Sequence, residues 1–161
     1  MIKLHQAKLS DAFDVLYVLN TALEKKLSYN DNAWGVQKFT TSEVLPYIES
    51  GELYIVIEIG GDITGVVVLQ ESDENIWGKS GVDGTALYIH KLASLSRGLG
   101  TKMIDASEKI AKKKGKSLLR LDCSYDNKSL YKYYLDMGFI ETTRILIGAD
   151  KIGLLQKSVA L

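Results

Sequence analysis

A glycine-bearing turn between a strand-like run and a helix-like run constrains the fold of this sequence more than any other feature. Residues 86–92 are rich in apolar and β-prone side chains, and residues 99–114 carry apolar side chains at helical spacing. The turn between them reads Leu95-Ser96-Arg97-Gly98-Leu99-Gly100-Thr101. Glycines let a ligand approach the backbone closely, and the first N–H groups of a helix have no partner within it. The segment therefore predicts a phosphate-binding turn, to which Arg97 adds a full positive charge.

The spacing of apolar residues along the chain predicts an α/β (α+β) fold with a mixed sheet. The predicted strands are residues 2–5, 53–59, 63–70, 85–92, 117–123, 139–147 and 152–157, and the predicted helices are 11–27, 41–50, 99–114 and 128–137. Hairpins alternate with strand–helix–strand crossovers, so we expect a central mixed sheet of about six to seven strands flanked by about four helices. The length of 161 residues predicts one domain, residues 1–161.

Two local expectations concern the first helix and the segment before the fourth strand. Ser10 is the predicted N-cap of the first helix, because serine favours that position. The inward face of this helix is predicted to carry Phe13, Leu16, Tyr17, Leu23 and Leu27. Residues 71–84 are predicted to form a polar loop.

Composition excludes several classes of function. Lys plus Arg and Asp plus Glu both number 20, so the balanced charge argues against nucleic acid or an anionic membrane as the main partner. One cysteine, Cys123, excludes an internal disulfide, and with only two histidines a His/Cys zinc site is not expected. The first residues lack a signal-peptide core, and no apolar run approaches the ~20 residues of a spanning helix. We therefore expect a cytoplasmic protein without a metal.

Four segments in a fixed order carry a resemblance to a known family. They are Tyr88-Ile89-His90-Lys91-Leu92-Ala93, then Arg97-Gly98-Leu99-Gly100, then Leu119-Arg120-Leu121-Asp122-Cys123, then residues 127–139 with their closing Gly138-Phe139. With the predicted element order, the sequence resembles the GNAT superfamily of acyl-CoA-dependent N-acetyltransferases, and within it an uncharacterised bacterial subgroup. The resemblance implies the GNAT fold, acetyl-CoA as cofactor and transfer of its acetyl group to a primary amine. A small-molecule or peptide acceptor is implied, and a homodimer is common for such proteins.

The resemblance also assigns roles to individual residues. It implies that the backbone N–H groups of the turn hold the CoA pyrophosphate, namely those of Arg97, Gly98, Leu99, Gly100 and Thr101. It implies that the preceding strand end binds the pantetheine arm like an added strand, through Leu92, Ala93 and Ser94. Asn127 would contact the same arm, and Tyr134 would donate a proton to the leaving thiolate. Tyr134 lies two helical turns after Asn127, so both share one face, although its spacing also fits a core residue and Tyr133 is its rival.

The turn departs from the family pattern because Leu95 replaces the usual Gln or Arg and the stretch before the glycines is short.

The general base is left open by the sequence. His90 is the first candidate, because the unperturbed pKa of histidine, near ~6.5, suits proton transfer. Strand alternation predicts that Tyr88, His90 and Leu92 share one face. A buried histidine with a structural partner is the competing interpretation. Asp122 could be that partner or itself the base, and Glu71 is a third candidate.

Trp34 and Trp77 are predicted to contact the acceptor, because each lies beside a glycine in a predicted loop, although either could pack as a lid. The resemblance implies that Glu71 also contacts the acceptor, because it follows the strand that flanks the acceptor cleft in the GNAT fold. The lysines at the end of the third helix (112, 113, 114 and 116) are read as a solvated helix end, and Cys123 as a small buried residue.

Two other functions stay open: a CoA-binding protein with little catalysis on the same fold, and a phosphate-binding αβ protein without CoA. An unbroken sheet would favour the latter, and a V-shaped gap between two parallel strands would favour acyl-CoA.

Overall fold

The computed structural model describes residues 2–160, which form one seven-stranded sheet with helices on both faces. The strands are β1 (His5–Gln6), β2 (Leu53–Ile57), β3 (Ile63–Gln70), β4 (Ala86–Ser94), β5 (Leu118–Ser124), β6 (Ile140–Ile147) and β7 (Asp150–Ser158). The helices of this described part are α1 (Ala12–Ser28), α2 (Thr41–Glu49), α3 (Glu74–Trp77), α4 (Leu99–Lys113) and α5 (Lys128–Asp136). The predicted order is confirmed, but the loop at 71–84 contains the short helix α3 and a 3₁₀ turn, Gly78–Val82.

The sheet is split between its two parallel strands. Its order is β1-β2-β3-β4-β5-β7-β6, and every neighbouring pair is antiparallel except β4 and β5. These two strands pair only from Ala86 with Leu118 to Tyr88 with Arg120. Beyond Tyr88 the strands diverge, so the β4 edge that faces β5 loses its partner. The sheet is therefore broken between β4 and β5. An unbroken sheet is the feature expected of a phosphate-binding protein without CoA, so this alternative loses its main support.

A β-bulge on β4 accompanies this divergence. Val66 pairs with Ala93 and Val68 with His90, so β4 has one more residue than β3 between these pairs. Lys91 lies in this bulge with φ of 53°, in the left-handed region. A bulge bends its strand and increases the local twist, which turns β4 away from β5.

The bulge also overturns the predicted alternation along β4. Leu92 packs against the core cluster that holds Leu87 and Ile89, whereas Ala93 packs on the opposite face with Val66. Leu92 therefore does not share a face with Tyr88 and His90, because the extra residue shifts the side-chain alternation by one.

Two hydrophobic layers position the helices on the sheet. One layer holds α1 and α2 against β2 and β3, through Val15, Leu19, Val44, Ile48, Leu53, Ile55, Val66 and Val68. The other holds α4 and α5 against β4, β5 and β7, through Leu87, Met103, Ile104, Leu119, Tyr131, Phe139 and Leu155. Each such fully buried side chain contributes about 1.5–3 kcal/mol, so the two layers fix where both halves of the split sheet lie. None of the described helices combines the length and hydropathy that crossing a bilayer requires.

Helix α1 differs from the prediction in its start and its buried face. Its N-cap is Asp11, and Ser10 lies one residue earlier, inside the 3₁₀ turn Leu9–Asp11. Phe13 is 80% exposed and Tyr17 is 66% exposed. The face on the sheet is instead formed by Ala12, Val15, Val18, Leu19 and Leu23. Apolar residues occupy two faces of this helix, and helical spacing alone does not say which one meets the sheet.

Candidate active site

The gap between the diverging strands opens into a cavity of about 580 Å³. Its walls come from the end of α1 and the loop after it, from the free ends of β4 and β5, and from one face of α5 between Ser129 and Tyr134. The predicted site residues that line it are Trp34, His90, Leu92, Ala93, Ser94, Asn127 and Tyr134. The cavity therefore brings together seven of the fourteen predicted site residues.

The predicted phosphate turn lies directly after this cavity wall. Gly98 is the N-cap of α4 with φ of 82°, a conformation that favours glycine, and no side chain caps the helix start. Thr101 Oγ1 lies 2.8 Å from the Tyr133 hydroxyl in a hydrogen bond. A Cβ on Gly100 would approach that hydroxyl to 3.1 Å. The turn at 97–101 is thus anchored to α5, and its first helical N–H groups are free of side-chain partners.

Tyr134 is both a core residue and a cavity residue. It is 7% exposed, and its ring packs against Tyr133 and Phe139 with centroid distances of 5.4 and 5.9 Å. Burial raises the pKa of Tyr134 far above its usual value, so the phenol keeps its proton. The Tyr133 hydroxyl is engaged by Thr101, whereas the Tyr134 hydroxyl has no hydrogen-bond partner among residues 2–160. Of the two rivals, Tyr134 is the one with a hydroxyl available to a ligand.

His90 faces a carboxylate that the sequence analysis did not single out. Its Nε2 lies 3.3 Å from Asp73 Oδ2, at ion-pair distance but outside hydrogen-bond geometry, and both atoms are buried. Asp73 is the N-cap of α3, where its Oδ1 accepts from the Ile76 N–H at 3.2 Å. An aspartate three residues before the apolar pair Ile76-Trp77 is a helix-start signal, and it could have indicated the cap but not its contact with His90.

Asp122 completes a three-residue cluster at the apex of the gap. His90 on β4 and Asp122 on β5 each lie two residues beyond the last paired residues, Tyr88 and Arg120. Burial raises the pKa of the Asp122 carboxyl, His90 lowers it, and the charge of Asp73 raises it further. Histidine with two carboxylates at this point can accept and hold a proton.

The same cluster has the donor set of a metal site. Asp73, His90 and Asp122 each offer one ligand atom, and these atoms all lie within 4.8 Å of one another; no other such group occurs among residues 2–160. Imidazole and carboxylate are ligands for several divalent ions. The positive charges of Lys91 and Lys26 already act on the Asp122 carboxyl. Their charge therefore opposes the binding of a metal cation beside it.

Two lysines of the cavity lining, Lys26 and Lys91, lie against the aromatic ring of Trp34. The ammonium groups of Lys26 and Lys91 lie 4.7 and 5.3 Å from the Trp34 ring centroid. Lys91 also lies 5.3 Å from the Phe39 ring centroid, and the Phe39 ring meets Trp34 edge-on. Trp34 therefore belongs to the cavity wall and stacks between charged groups.

A buried network joins this wall to α5. Asp31 is 1% exposed, and its carboxylate lies 3.3 Å from Lys26 Nζ and accepts a hydrogen bond of 2.8 Å from Asn127 Nδ2. Asn127 Oδ1 accepts from the Leu130 N–H and thereby caps α5. Both ends of the Asn127 side chain are thus used to hold the wall together. The sequence pattern does not reveal the role of Asp31, because its partner Asn127 is 96 residues away in the chain.

Trp77 and Glu71 lie outside the cavity lining. Trp77 packs under the Arg120 guanidinium, whose Cζ is 4.4 Å from the ring centroid, and against Tyr88 at 5.9 Å. Glu71 is exposed and lies 3.3 and 3.2 Å from the ammonium groups of Lys114 and Lys116. It follows β3 at the end where β4 and β5 are still paired. The chain folds both residues away from the gap, so neither lies where it could contact an acceptor in the cavity. For the same reason, Glu71 does not lie where it could act as the base.

Comparisons with known proteins agree with this geometry. A sequence model of the acetyltransferase (GNAT) family matches residues 19–139. The chain is similar to the uncharacterized N-acetyltransferase YesJ of Bacillus subtilis (strain 168), with 30% identity over 114 residues that cover 66% of this chain and 59% of that protein. The match thus spans less than two thirds of that relative.

Solved structures share the fold. A GNAT-family acetyltransferase from Listeria monocytogenes 4b F2365 superposes with a TM-score of 0.79 at 21% identity, covering 98% of this chain and 94% of that one. The acetyltransferase yncA from Salmonella typhimurium, solved with its cofactor acetyl-CoA, gives a TM-score of 0.71 at 14% identity, covering 100% and 95%.

Proposed function

Because this chain belongs to the acetyltransferase (GNAT) family, we propose that it transfers the acetyl group of acetyl-CoA to a primary amine. The observation that carries the proposal is the gap between β4 and β5, whose ladder ends at Tyr88 and Arg120 and which opens into the cavity. A strand edge without a partner offers backbone N–H and C=O groups to a ligand. The cytoplasmic location and the homodimer stay predictions.

The chain's residues fit acetyl-CoA along the length of this gap. The free β4 edge from Leu92 to Ser94 would hold the pantetheine arm as an added strand, with Leu130 and Tyr133 on the facing wall of the cavity. The turn at 97–101 would hold the pyrophosphate, since its helical N–H groups lack caps and Arg97 is exposed beside them. Acetyl-CoA supplies an acetyl thioester, whose carbon–sulfur bond breaks as the carbon–nitrogen bond forms.

His90 is the proposed proton acceptor. An alkyl ammonium has a pKa near ~10, so the acceptor amine must lose a proton before its nitrogen can attack. His90 lines the cavity, and Asp73 lies against its Nε2. Asp73 would hold the ring in position, and Asp122, on the facing strand, is the alternative acceptor.

Tyr134 and the backbone of the β4 bulge would act on the departing sulfur and on the carbonyl oxygen of the thioester. The Tyr134 phenol keeps its proton because burial raises its pKa, so it can donate that proton to the departing sulfur. A backbone N–H at Leu92 or Ala93 would contact the oxygen on which negative charge develops. No covalent enzyme intermediate is needed. Burial raises the pKa of Cys123 to about 12, which keeps this thiol protonated and unreactive.

Calorimetric titration of the purified protein with acetyl-CoA and with CoA tests the cofactor. We expect micromolar binding that Arg97→Glu abolishes, because the new carboxylate repels the pyrophosphate. Lys109→Glu is the matched control, since it makes the same charge change at an exposed position farther along α4. Absence of binding at millimolar ligand would contradict the proposal.

Release of the CoA thiol in the presence of a panel of primary amines then tests the chemistry. Binding of acetyl-CoA with no thiol release for any amine would favour the alternative, a CoA-binding protein with little catalysis on the same fold.

A further inference from the structure

We propose that the acceptor carries a carboxylate close to its amine, as an α-amino acid does, and that Lys91 binds this carboxylate. The inference rests on the proposed acetyl transfer and names the class of its second substrate. It follows from a cation in the cavity that no carboxylate of residues 2–160 pairs with directly.

Lys91 is half-buried at the boundary of two cavities. Its ammonium group lies between the rings of Trp34 and Phe39, at 5.3 Å from each centroid. Among residues 2–160 no carboxylate forms an ion pair with it. Burial lowers the pKa of Lys91, and although Asp122 and Glu43 raise it, Lys26 lowers it further. A partly desolvated cation without a partner is costly, and a bound anion would remove that cost.

The backbone of Lys91 is held in an unfavourable conformation. Its φ of 53° lies in the left-handed region, which costs free energy for a residue with a side chain. The β4 bulge imposes this conformation and aims the side chain at Trp34 rather than along the opposite face of the strand. Strain at a cavity-lining residue is typical of functional positions.

The other lysines of the cavity do not compete for this role. Lys26 is paired with Asp31 at 3.3 Å. Lys25 lines the cavity but is exposed, so water already solvates its charge. Lys91 is therefore the cavity lysine that gains most from an incoming carboxylate.

Adjacent residues would then recognise both ends of the acceptor. His90, the proposed proton acceptor, and Lys91 line the same cavity, and both act on the charge of Asp122. An α-amino acid carries its amine and its carboxylate on one carbon and would present both groups to this part of the cavity. A second cavity of about 500 Å³ shares Lys91 and Trp34 with the first and is lined by Leu19, Leu53 and Val68 among others. It offers apolar space for an aliphatic side chain. A polyamine would instead bring a second cation to Lys91.

The first experiment compares carboxylates with matched amides as acceptors. Thiol release from acetyl-CoA is measured with L-leucine and L-valine, with L-leucinamide and L-valinamide, and with spermidine. We expect kcat/KM to be roughly ten- to a hundredfold higher for the acids, the effect of one charge-assisted contact. The amides have the more easily deprotonated amines, so this preference cannot come from protonation of the acceptor. Higher kcat/KM with the amides or spermidine would overturn the inference while keeping the acetyl transfer.

Variants locate the carboxylate. Lys91→Met should abolish the ratio of kcat/KM between acids and amides, whatever its effect on the overall rate, whereas Lys91→Arg should retain part of that ratio. Lys25→Met is the matched control, because it removes an exposed lysine from the same cavity, and it should keep the preference. An equal loss in Lys25→Met, or a preference that survives Lys91→Met, would overturn the role of Lys91.

A binding measurement makes the inference independent of turnover. Tryptophan fluorescence is followed during titration with L-leucine and L-leucinamide, and Trp34→Phe identifies the part of the signal that comes from the cavity. A saturable change with leucine alone, lost in Trp34→Phe and in Lys91→Met, supports the carboxylate site. An equal response to leucinamide, or no response to either, overturns it. Leucine binding without thiol release would contradict the proposed function and leave the carboxylate site standing.

Discussion

His90 Nε2 and Asp73 Oδ2 lie 3.3 Å apart where β4 and β5 begin to diverge. The imidazole comes from β4 and the carboxylate from Asp73, the N-cap residue that precedes the one-turn helix α3. Two separate elements therefore meet at the apex of the gap. Both atoms are buried and lack hydrogen-bond partners within residues 2–160. A carboxylate held against the imidazole in this way can fix the position of the ring at the apex of the gap.

Replacing Asp73 tests whether it positions His90. Asp73→Asn keeps the helix cap, because asparagine caps as well as aspartate, but it removes the charge. We expect kcat to fall about tenfold to a hundredfold, with little change in KM for acetyl-CoA. Asp73→Glu should recover part of the loss. Asp83→Asn is the control, since Asp83 is an exposed carboxylate that bonds Thr85 in the neighbouring turn.

The two candidate bases can be separated in the same assay. His90→Gln should lower kcat about a hundredfold, and Asp122→Asn should lower it less. The reverse order would assign the proton acceptor to Asp122. A normal kcat in both Asp73→Asn and His90→Gln would remove this pair from the reaction.

Tyr134→Phe should separate catalysis from cofactor binding. The phenol of Tyr134 has no hydrogen-bond partner among residues 2–160, so its loss should leave the fold and the affinity for CoA nearly unchanged. Turnover should fall about a hundredfold, the lower range for acid–base catalysis. Steady-state kinetics and CoA titration measure the two effects, and unchanged turnover would exclude Tyr134 as the proton donor.

Tyr133→Phe is expected to give the opposite pattern. It removes the hydrogen bond of 2.8 Å to Thr101 in the first turn of α4. The phosphate turn should be less well ordered, so KM for acetyl-CoA should rise several-fold while kcat changes little. A large fall in kcat with unchanged KM would exchange the roles of the two tyrosines.

The buried Asp31 carboxylate makes stability depend on pH. Burial raises its pKa, but the Asn127 amide, the Ala33 N–H and Lys26 outweigh burial and hold the pKa below its usual value of 3.8. Because the folded-state pKa is depressed, this stabilisation is present above pH 3.8 and is lost as pH falls through the folded-state pKa.

Asp31→Asn should therefore destabilise the protein at neutral pH and much less at low pH. Removing one member of a buried ion pair costs about 3–5 kcal/mol, so we expect a loss in this range at pH 7. Urea unfolding at pH 7 and below pH 4 measures the difference. Asp62→Asn, at an exposed turn, is the control. An equal free-energy loss at both pH values would show that the carboxylate charge is not what stabilises the network.

Removing divalent metal should leave activity unchanged. Asp73, His90 and Asp122 have metal-ligand spacing, but Lys91 and Lys26 place positive charge near Asp122. We expect the same kcat/KM before and after dialysis against EDTA, and no change on adding Zn²⁺ or Mn²⁺ at micromolar concentration. Loss of activity with EDTA that one of these ions restores would make the cluster a metal site.

The sequence by itself determined the order of the elements and the location of the glycine turn before α4. Both depend on local properties. Gly98 adopts a φ of 82° that favours glycine, and the apolar spacing after it matches a helix whatever else it contacts. The family resemblance singled out Leu92, Ala93, Ser94 and Tyr134 from short sequence motifs, and all four line the cavity.

Tertiary structure alone decided which side chains meet at the apex and the wall of the cavity. Asp73 reaches His90 and Asp31 reaches Asn127 only after distant segments have packed, and local periodicity contains no information about such pairs. The β4 bulge, which places Lys91 against Trp34 and turns Leu92 to the other face, depends on the register between β3 and β4. Register is set by the packing of both faces of the sheet together, so a single strand's alternation could not predict it.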